Sequence, residues 1–386
     1  MRQVKFGTKK GCLLGFAGGV FFTVAAIIGG IAWLINGDLP AIVNMARLLA
    51  AHYFVQSYFV NEIDDNKLTD GAIAGMVNAL GDQHSRYLDK KMYQDLKNHT
   101  EASFGGIGIV MGFRDKKVTV MSVMEGTPGE AAGLKTGDEI LAVDGTNVRD
   151  YQPDEVALHI RGEIGTKVVL TVAREGAEPT DYTIERANIH VKTAAGKLLD
   201  DKIGYIRISS FADKTAEEFA ASYKELEEQG MKALVIDVRE NPGGLVTSCV
   251  EIAEKVVPEG NIVSVLHRDG TKEEYLSKLK EQKYPIAVLI NGNSASASEI
   301  LSGALQDTGA AVLVGTKSYG KGSVQAVFPL GSGDAMKLTV AKYYTPSGRS
   351  IDGTGIEPDV KVELLEGTLA DLQLEKAIEL LREKIK

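Results

Sequence analysis

A charge-free apolar run, Ile286–Ile290, ends directly in Asn291-Gly292-Asn293, and a helical pattern begins a few residues later. The run reads as a buried strand, and the Asn-Gly-Asn triplet as a turn. Ser294, Ser296 and Ser298 then alternate with alanines. Ile300, Leu301, Ala304 and Leu305 share one face of the helix that follows. A serine at a strand–turn–helix junction lies beside the unpaired N–H groups of the helix N-terminus, which can hold a developing oxyanion. The same residues also fit a purely structural role. Ser296-Ala297-Ser298-Glu299 has the S-x-x-E form of a helix capping box. Local pattern leaves both readings open.

A serine hydroxyl becomes a strong nucleophile only when a base takes its proton. No histidine lies near this stretch; His267 is the nearest. A second strand, Ala311–Val314, leads to Lys321 in a glycine-rich turn, and Gln325 follows on an alternating segment. Lysine serves as a base when burial disfavours its charged form, and a glutamine can orient it without holding it charged. Two other motifs overlap Lys321. Gly315–Lys321 reads G-x-x-x-x-G-K after a strand, as a phosphate-binding loop does. Gly322, however, stands where a Ser or Thr would hold magnesium, and Ser323–Phe328 alternates like a strand instead of opening a helix. Ser318–Lys321 is an S-x-x-K, and Lys135-Thr136-Gly137 a K-T-G, but they occur in the wrong order and without S-D-N.

The segments NGNSASASE and GTKSYGKGSVQ together resemble the carboxyl-terminal processing, or tail-specific, serine proteases that carry a PDZ domain. GDQHSRYL (Gly81–Leu88), FGGIGI (Phe104–Ile109), GTPGEAAGLKTGDEILAVDG, DVRENPGGL (Asp237–Leu245), TVAKYYTPSGRSI (Thr339–Ile351) and GIEPDV (Gly355–Val360) are similar in the same chain order. The resemblance implies a multidomain α/β (α+β) chain: a crotonase-like Ser/Lys protease core with an inserted PDZ domain. It implies Ser296 as nucleophile, Lys321 as general base and Gln325 as the residue orienting the lysine. It implies an oxyanion hole of backbone N–H groups from Ala297 and from Gly243 and Gly244. It also implies substrates captured by their free C-terminal tails, helical dimerisation segments, and an activating or adaptor protein as a further partner. No cofactor or metal is required. The alternative is a non-catalytic scaffold whose PDZ domain tethers tails.

Composition and pattern divide the rest. With 386 residues the chain has room for two or three domains. Net charge is −9 and no basic run follows the first ten residues, which argues against nucleic acid as a partner. Cys12 and Cys249 are the only cysteines, and no Cys/His cluster has metal-ligand spacing. Residues 1–37 combine a basic tip, Arg2 to Lys10, with an uncharged stretch, Gly11–Gly37. A bilayer takes roughly 20 apolar residues, so an N-terminal transmembrane helix is expected. The basic tip places the catalytic part outside the cytoplasm of a single-pass membrane protein, a cleaved signal and secretion being the alternative.

Residues 38–100 read as helical, with Ile42, Met45, Ala46, Leu49 and Ala50 on one stripe. Thr69-Asp70 is expected to cap a second helix carrying Ile73, Met76, Val77 and Leu80. Residues 101–188 read as the β-rich PDZ domain. There a glycine turn, Gly106-Ile107-Gly108, is positioned to take a terminal carboxylate beside an open sheet edge. Residues 189–363 alternate strand and helix as the protease core, and 364–386 form a final amphipathic helix expected to pack on the N-terminal helices or on a second subunit.

Overall fold

The structure, a computed structural model, describes residues 29–30, 39–114, 117–363 and 370–385. The chain divides into two compact units, one up to Gly75 and one from Met76 onward. The first contains α1 (Leu39–Tyr58) and most of α2 (Asp65–Asn78). Both helices are where the periodicity puts them, yet the α1 stripe is not buried in the single chain: Met45 is 59% and Leu49 66% exposed. The cap of α2 also differs from expectation. The Asp64 carboxylate accepts the Asn66 and Lys67 N–H groups, so the helix starts before Thr69-Asp70.

The expected membrane anchor requires correction. Among the described residues no helix is long and apolar enough to cross a membrane, so the single-pass placement is without support. Gly11–Gly37 itself, apart from Gly29 and Gly30, lies outside the described residues.

The second unit opens with β1 (Arg86–Leu88) and α3 (Lys90–Glu101), whose N-terminus is capped by Asp89 accepting the Met92 N–H at 2.7 Å. Next come β2 (Ser103–Gly106), β3 (Ile109–Arg114), β4 (Lys117–Val123), the short α4 (Pro128–Ala131), β5 (Glu139–Val143), β6 (Thr146–Asn147), α5 (Pro153–Ile160), β7 (Lys167–Ala173), β8 (Thr180–Glu185) and β9 (Ala187–His190). Strands β3-β4-β5-β7-β8 form one antiparallel sheet, with β6 on β5. Its inward residues Val118, Val120, Ile140, Val143, Val168, Leu170 and Val172, with a bulge in β5 between Ile140 and Ala142, close a small core with Val156 and Ile160 of α5. β3 is an edge of this sheet, and β2 pairs instead with β9.

The larger core follows: β10 (Ala194–Leu198), β11 (Ile203–Ile208), α6 (Thr215–Glu228), β12 (Ala233–Asp237), α7 (Val246–Val256), β13 (Gly260–His267), β14 (Lys272–Ser277), β15 (Ile286–Ile290), α8 (Ala297–Asp307), β16 (Ala311–Gly315), β17 (Ser323–Pro329), β18 (Ala335–Tyr344), β19 (Val360–Lys361) and α9 (Leu372–Lys384). The sheet runs β10-β11-β12-β15-β16-β19, parallel except for β10. Its strands read as unbroken apolar runs because both faces are covered. Leu234, Ile236, Val288 and Ile290 pack on one side with α6, α7 and α8. Val235, Ala287, Leu289 and Val314 pack on the other with Ala377 and Leu381 of α9. The C-terminal helix therefore covers one face of this sheet. A second, antiparallel sheet, β1-β18-β13-β14 with β17 on β18, borders the core.

One consequence of the parallel order governs the site. The chain leaves the C-terminal ends of the neighbouring strands β12, β15 and β16 in three successive loops, so these loops meet at one end of the sheet. They carry Gly243-Gly244, Ser296 and Lys321 respectively.

Candidate active site

Burial separates the three serines. The Ser294 hydroxyl donates to the Val238 carbonyl at 2.7 Å and accepts the Asn291 N–H at 3.0 Å. The Ser298 hydroxyl donates to the Asn241 carbonyl at 2.9 Å. Both side chains are fully buried, and both tie the serine loop to the loop after β12. Ser296, between them, stays partly exposed and immediately precedes α8. Its backbone has φ 55° and ψ −114°, a conformation a non-glycine residue holds only when its surroundings impose it.

The imposing group is Glu299, which is wholly buried. One carboxylate oxygen accepts the N–H of Ser296 at 2.9 Å and of Lys321 at 2.9 Å. The other accepts the Ser318 hydroxyl at 2.6 Å and the Gly320 N–H at 2.7 Å. The capping box is therefore real, and the Ser296 hydroxyl at its first position meets the Tyr343 phenol instead of a backbone carbonyl. It also explains why the S-x-x-K at Ser318 is a decoy: that hydroxyl is used up, donating to Glu299 and accepting the Ile356 N–H at 2.7 Å. The phosphate-loop pattern fails as well, since Lys321 leads into the strand β17 and no helix opens there.

Lys321 is tied to the same Glu299 oxygen as Ser296 through its backbone N–H. Burial pushes its amine below the ordinary lysine value, while the Glu299 and Asp82 carboxylates pull the other way. The Tyr343 phenol donates to the Lys321 carbonyl and hydrogen-bonds the Ser296 side chain. Burial holds that phenol protonated well above its usual range. Gln325 sits on β17 opposite Thr339, its amide NH2 donating to Ser323 Oγ at 2.9 Å and to Thr339 Oγ1 at 3.3 Å.

The loop after β12 supplies the remaining wall. Gly243 packs so closely that a Cβ there would stand 2.8 Å from Ser296 Cβ and 3.0 Å from the Ala297 nitrogen. Its φ of 101° also needs glycine. Its N–H, however, already donates to Asn241 Oδ1 at 2.9 Å. Of the three N–H groups expected at an oxyanion site, only those of Gly244 and Ala297 have no acceptor among the described residues. Gly243 serves by lacking a side chain. Asp237 and Arg239 pair within this loop, as their spacing suggests, and Arg239 also holds Asp371 at 2.8 Å and Gln373 at 3.1 Å ahead of and within α9.

In the smaller sheet Gly106-Ile107-Gly108 forms the connection from β2 to β3. The N–H groups of Ile107 and Gly108 have no acceptor among the described residues, and Gly108 has φ 77°. Val110 and Phe113 stand exposed along the adjoining edge strand. Among the described residues no cluster of acids, histidines or cysteines could hold a metal.

Sequence reasoning missed Glu299 as a clamp, although it is the last letter of the capping box. It missed Asp82, Asn241 and Tyr343, each inside a quoted motif with no local sign of its role. Nothing in the sequence marked Asp371. The assembled parts are a hydroxyl at a helix N-terminus, a desolvated amine and unpaired N–H groups, which together can carry out acyl transfer.

Comparison with known proteins gives a consistent result. Residues 202–362 match Peptidase family S41, residues 105–183 a PDZ domain and residues 36–92 the Activating protease CtpB N-terminal domain. A carboxy-terminal-processing protease of Bartonella bacilliformis is 38% identical over 90% of this chain and 82% of its own length. Carboxy-terminal processing protease CtpB of Bacillus subtilis is 38% identical over 83% of this chain and 68% of its own. A solved structure from Bacteroides fragilis, described as an S41 protease, shares the fold with a TM-score of 0.53 and 16% identity, covering 86% of this chain and 96% of that one.

Proposed function

This chain belongs to the carboxy-terminal processing proteases of peptidase family S41, and from that premise we propose that it cleaves protein substrates by a Ser296/Lys321 acyl-enzyme mechanism. Neutral Lys321 takes the proton of the Ser296 hydroxyl as its oxygen attacks the scissile carbonyl. The N–H groups of Ala297 and Gly244 stabilise the oxyanion, and Gln325 orients the lysine amine. Lys321 then protonates the leaving amine, and water releases the acyl group. The observation that carries this reading is the fate of the three serines: the Ser294 and Ser298 hydroxyls donate to backbone carbonyls, whereas the Ser296 hydroxyl at the helix N-terminus meets the Tyr343 phenol, and burial pushes Lys321 of the adjoining loop toward its neutral form.

In this reading residues 101–188 are a PDZ domain that takes the substrate's C-terminal tail as an added strand on β3, its carboxylate held at Ile107 and Gly108. Residues 189–363 are a crotonase-like protease core, 364–386 its covering helix, and 38–100 a helical region through which two copies pair. Exposed apolar residues on α1 support the pairing. An activating or adaptor partner remains part of the same proposal.

The test is cleavage of an unstructured protein with an apolar C-terminal tail, with tail binding measured in parallel. Wild type should cleave, Ser296→Ala should lose at least about 10³-fold in rate, and both should bind. Binding by both and cleavage by neither would leave the tethering reading. Equal cleavage by both would exclude Ser296 as the nucleophile.

A further inference from the structure

A fourth loop reaches the same end of the larger sheet. β11 runs parallel to its neighbour β12, so the segment that follows it, residues 209–214, comes beside the Gly243-Gly244 loop. The contact between the two is made by backbone. The Phe211 N–H donates to the Gly243 carbonyl at 2.9 Å, and the Leu245 N–H donates to the Phe211 carbonyl at 2.7 Å. Phe211 and Gly244 thus form a single parallel bridge, with the Phe211 side chain buried.

That bridge orients one peptide unit. The Gly243 carbonyl and the Gly244 N–H belong to the same trans peptide, so they point in opposite directions. With its C=O held by Phe211, the unit turns its N–H away from Phe211, and that N–H has no acceptor among the described residues. Gly243 also borders the serine loop: a Cβ on it would stand 2.8 Å from Ser296 Cβ and 3.0 Å from the Ala297 nitrogen. Glycines on both sides of the unit remove the side-chain clashes that resist a peptide flip. A flip would put a carbonyl oxygen where the N–H stands, beside developing negative charge.

We propose that Phe211 is a positioning residue of the oxyanion hole: its backbone N–H holds the Gly243–Gly244 peptide in the orientation that offers the Gly244 N–H to the reacting carbonyl, and Thr215 holds the loop that carries Phe211. This rests on the Ser296/Lys321 reading above and adds to it the group that keeps one oxyanion donor turned toward the substrate.

The loop is anchored by side chains that a substitution can remove without touching the site. Thr215, the first residue of α6, is fully buried. Its Oγ1 accepts the Ala212 N–H at 2.7 Å and lies 2.5 Å from Thr193 Oγ1. Thr193 Oγ1 donates to the Glu218 carboxylate at 3.0 Å. The Ser209 N–H donates to the Thr193 carbonyl at 2.8 Å, and the Asp213 N–H to the Thr100 carbonyl at 3.0 Å.

Three variants test the idea. Incorporating the α-hydroxy analogue of phenylalanine at Phe211 replaces its N–H by an ester oxygen and leaves every side chain unchanged. Thr215→Val removes the acceptor of the Ala212 N–H, and Thr215→Ser keeps it. Four quantities should be measured: kcat and KM with a tail-bearing substrate, affinity for a substrate-derived peptide aldehyde, and affinity for the matching peptide alcohol. The aldehyde adduct with Ser296 places an oxygen in the hole, whereas the alcohol forms no adduct. Thermal melts check folding.

The ester variant should lose about 10- to 100-fold in kcat with KM within about threefold of wild type, and aldehyde affinity should fall by a similar factor while alcohol affinity holds. Thr215→Val should show the same split at about 10-fold, and Thr215→Ser should recover to within a few-fold of wild type. Wild-type kcat in the ester variant would overturn the proposal. So would equal losses of aldehyde and alcohol affinity, which mark lost substrate binding and not a lost oxyanion donor. Equal losses in Thr215→Val and Thr215→Ser would overturn the part assigned to Thr215. Each of these outcomes leaves the nucleophile in place. Failure of the aldehyde to form an adduct at Ser296 in wild type would instead overturn the underlying reading, and this inference with it.

Discussion

Glu299 and Lys321 are joined through a single oxygen: the carboxylate oxygen that accepts the Lys321 N–H at 2.9 Å also accepts the Ser296 N–H at 2.9 Å. One buried side chain thus ties the serine and lysine loops together, beside the Tyr319 N–H that donates to the Ser294 carbonyl at 3.0 Å. Glu299→Ala would leave several buried donors unpaired, each costing about 1–3 kcal/mol. Chemical denaturation should show a loss of roughly 3–5 kcal/mol. Glu299→Gln keeps one acceptor oxygen and should fold better, yet lose activity about 10²-fold through misplacement of the loops. A Glu299→Gln variant with wild-type cleavage would show that the clamp does not set the geometry.

Gly243 makes the second prediction. An added methyl would meet the Ala295 carbonyl at 2.7 Å and Ser296 Cβ at 2.8 Å, at a φ that disfavours any side chain. Gly243→Ala should reduce cleavage about 10²-fold or more. Gly292→Ala, two residues before Ser294 on the exposed turn, meets only the Lys317 carbonyl at 3.9 Å and should leave stability within about 0.5 kcal/mol. Comparable rates in the two variants would contradict the close approach.

Arg239 is buried between Asp237 and Asp371 and donates to both as well as to Gln373. Removing it leaves the fully buried Asp237 without its counter-ion, so Arg239→Ala should destabilise by roughly 3–5 kcal/mol and loosen α9 from the sheet. The ion pair of Arg382 with Asp201 is half exposed, and its loss should cost about 1 kcal/mol or less. Hydrogen exchange across α9 would distinguish local release from global unfolding.

Lys337 provides a pH test of the base. Burial lowers its own pKa, and its charge and that of Lys321 repel. A base must be neutral to accept a proton, so the rate should rise with pH through the Lys321 pKa, at a limb below the ordinary lysine value of 10.5. Lys337→Met removes a cation that disfavours the charged lysine, so the limb should move to higher pH. A shift to lower pH, or none, would show that Lys337 does not act on the base.

Much of this architecture is legible in the sequence, because it follows from rules of short range. Ile286–Ile290 is a strand buried on both faces, Ala297–Asp307 a helix, and Lys321 lies at a glycine turn before an alternating strand, as their patterns predict. Periodicity also located α1, and the β-rich reading of residues 101–188 the segment that carries the smaller sheet. It could not say what covers an apolar face. The α1 stripe stays exposed, and the C-terminal helix packs on Val235 and Leu289 because the parallel strands present a second apolar face. β1 is too short and too polar to register as a strand until β18 pairs with it.

The sequence by itself determined which residue types could do acyl chemistry and on which elements they sit. Tertiary structure decided which serine hydroxyl is left off the backbone carbonyls, because those of Val238 and Asn241 take the hydroxyls of Ser294 and Ser298. It also assigned the Gly243 N–H to Asn241, and brought Glu299, Asp82 and Tyr343 to Lys321. The physical reason is common to all of these. Local pattern encodes the backbone conformation of each segment, whereas the hydrogen-bond partner of a buried polar group is set by strand order and register, which bring together loops far apart in the chain.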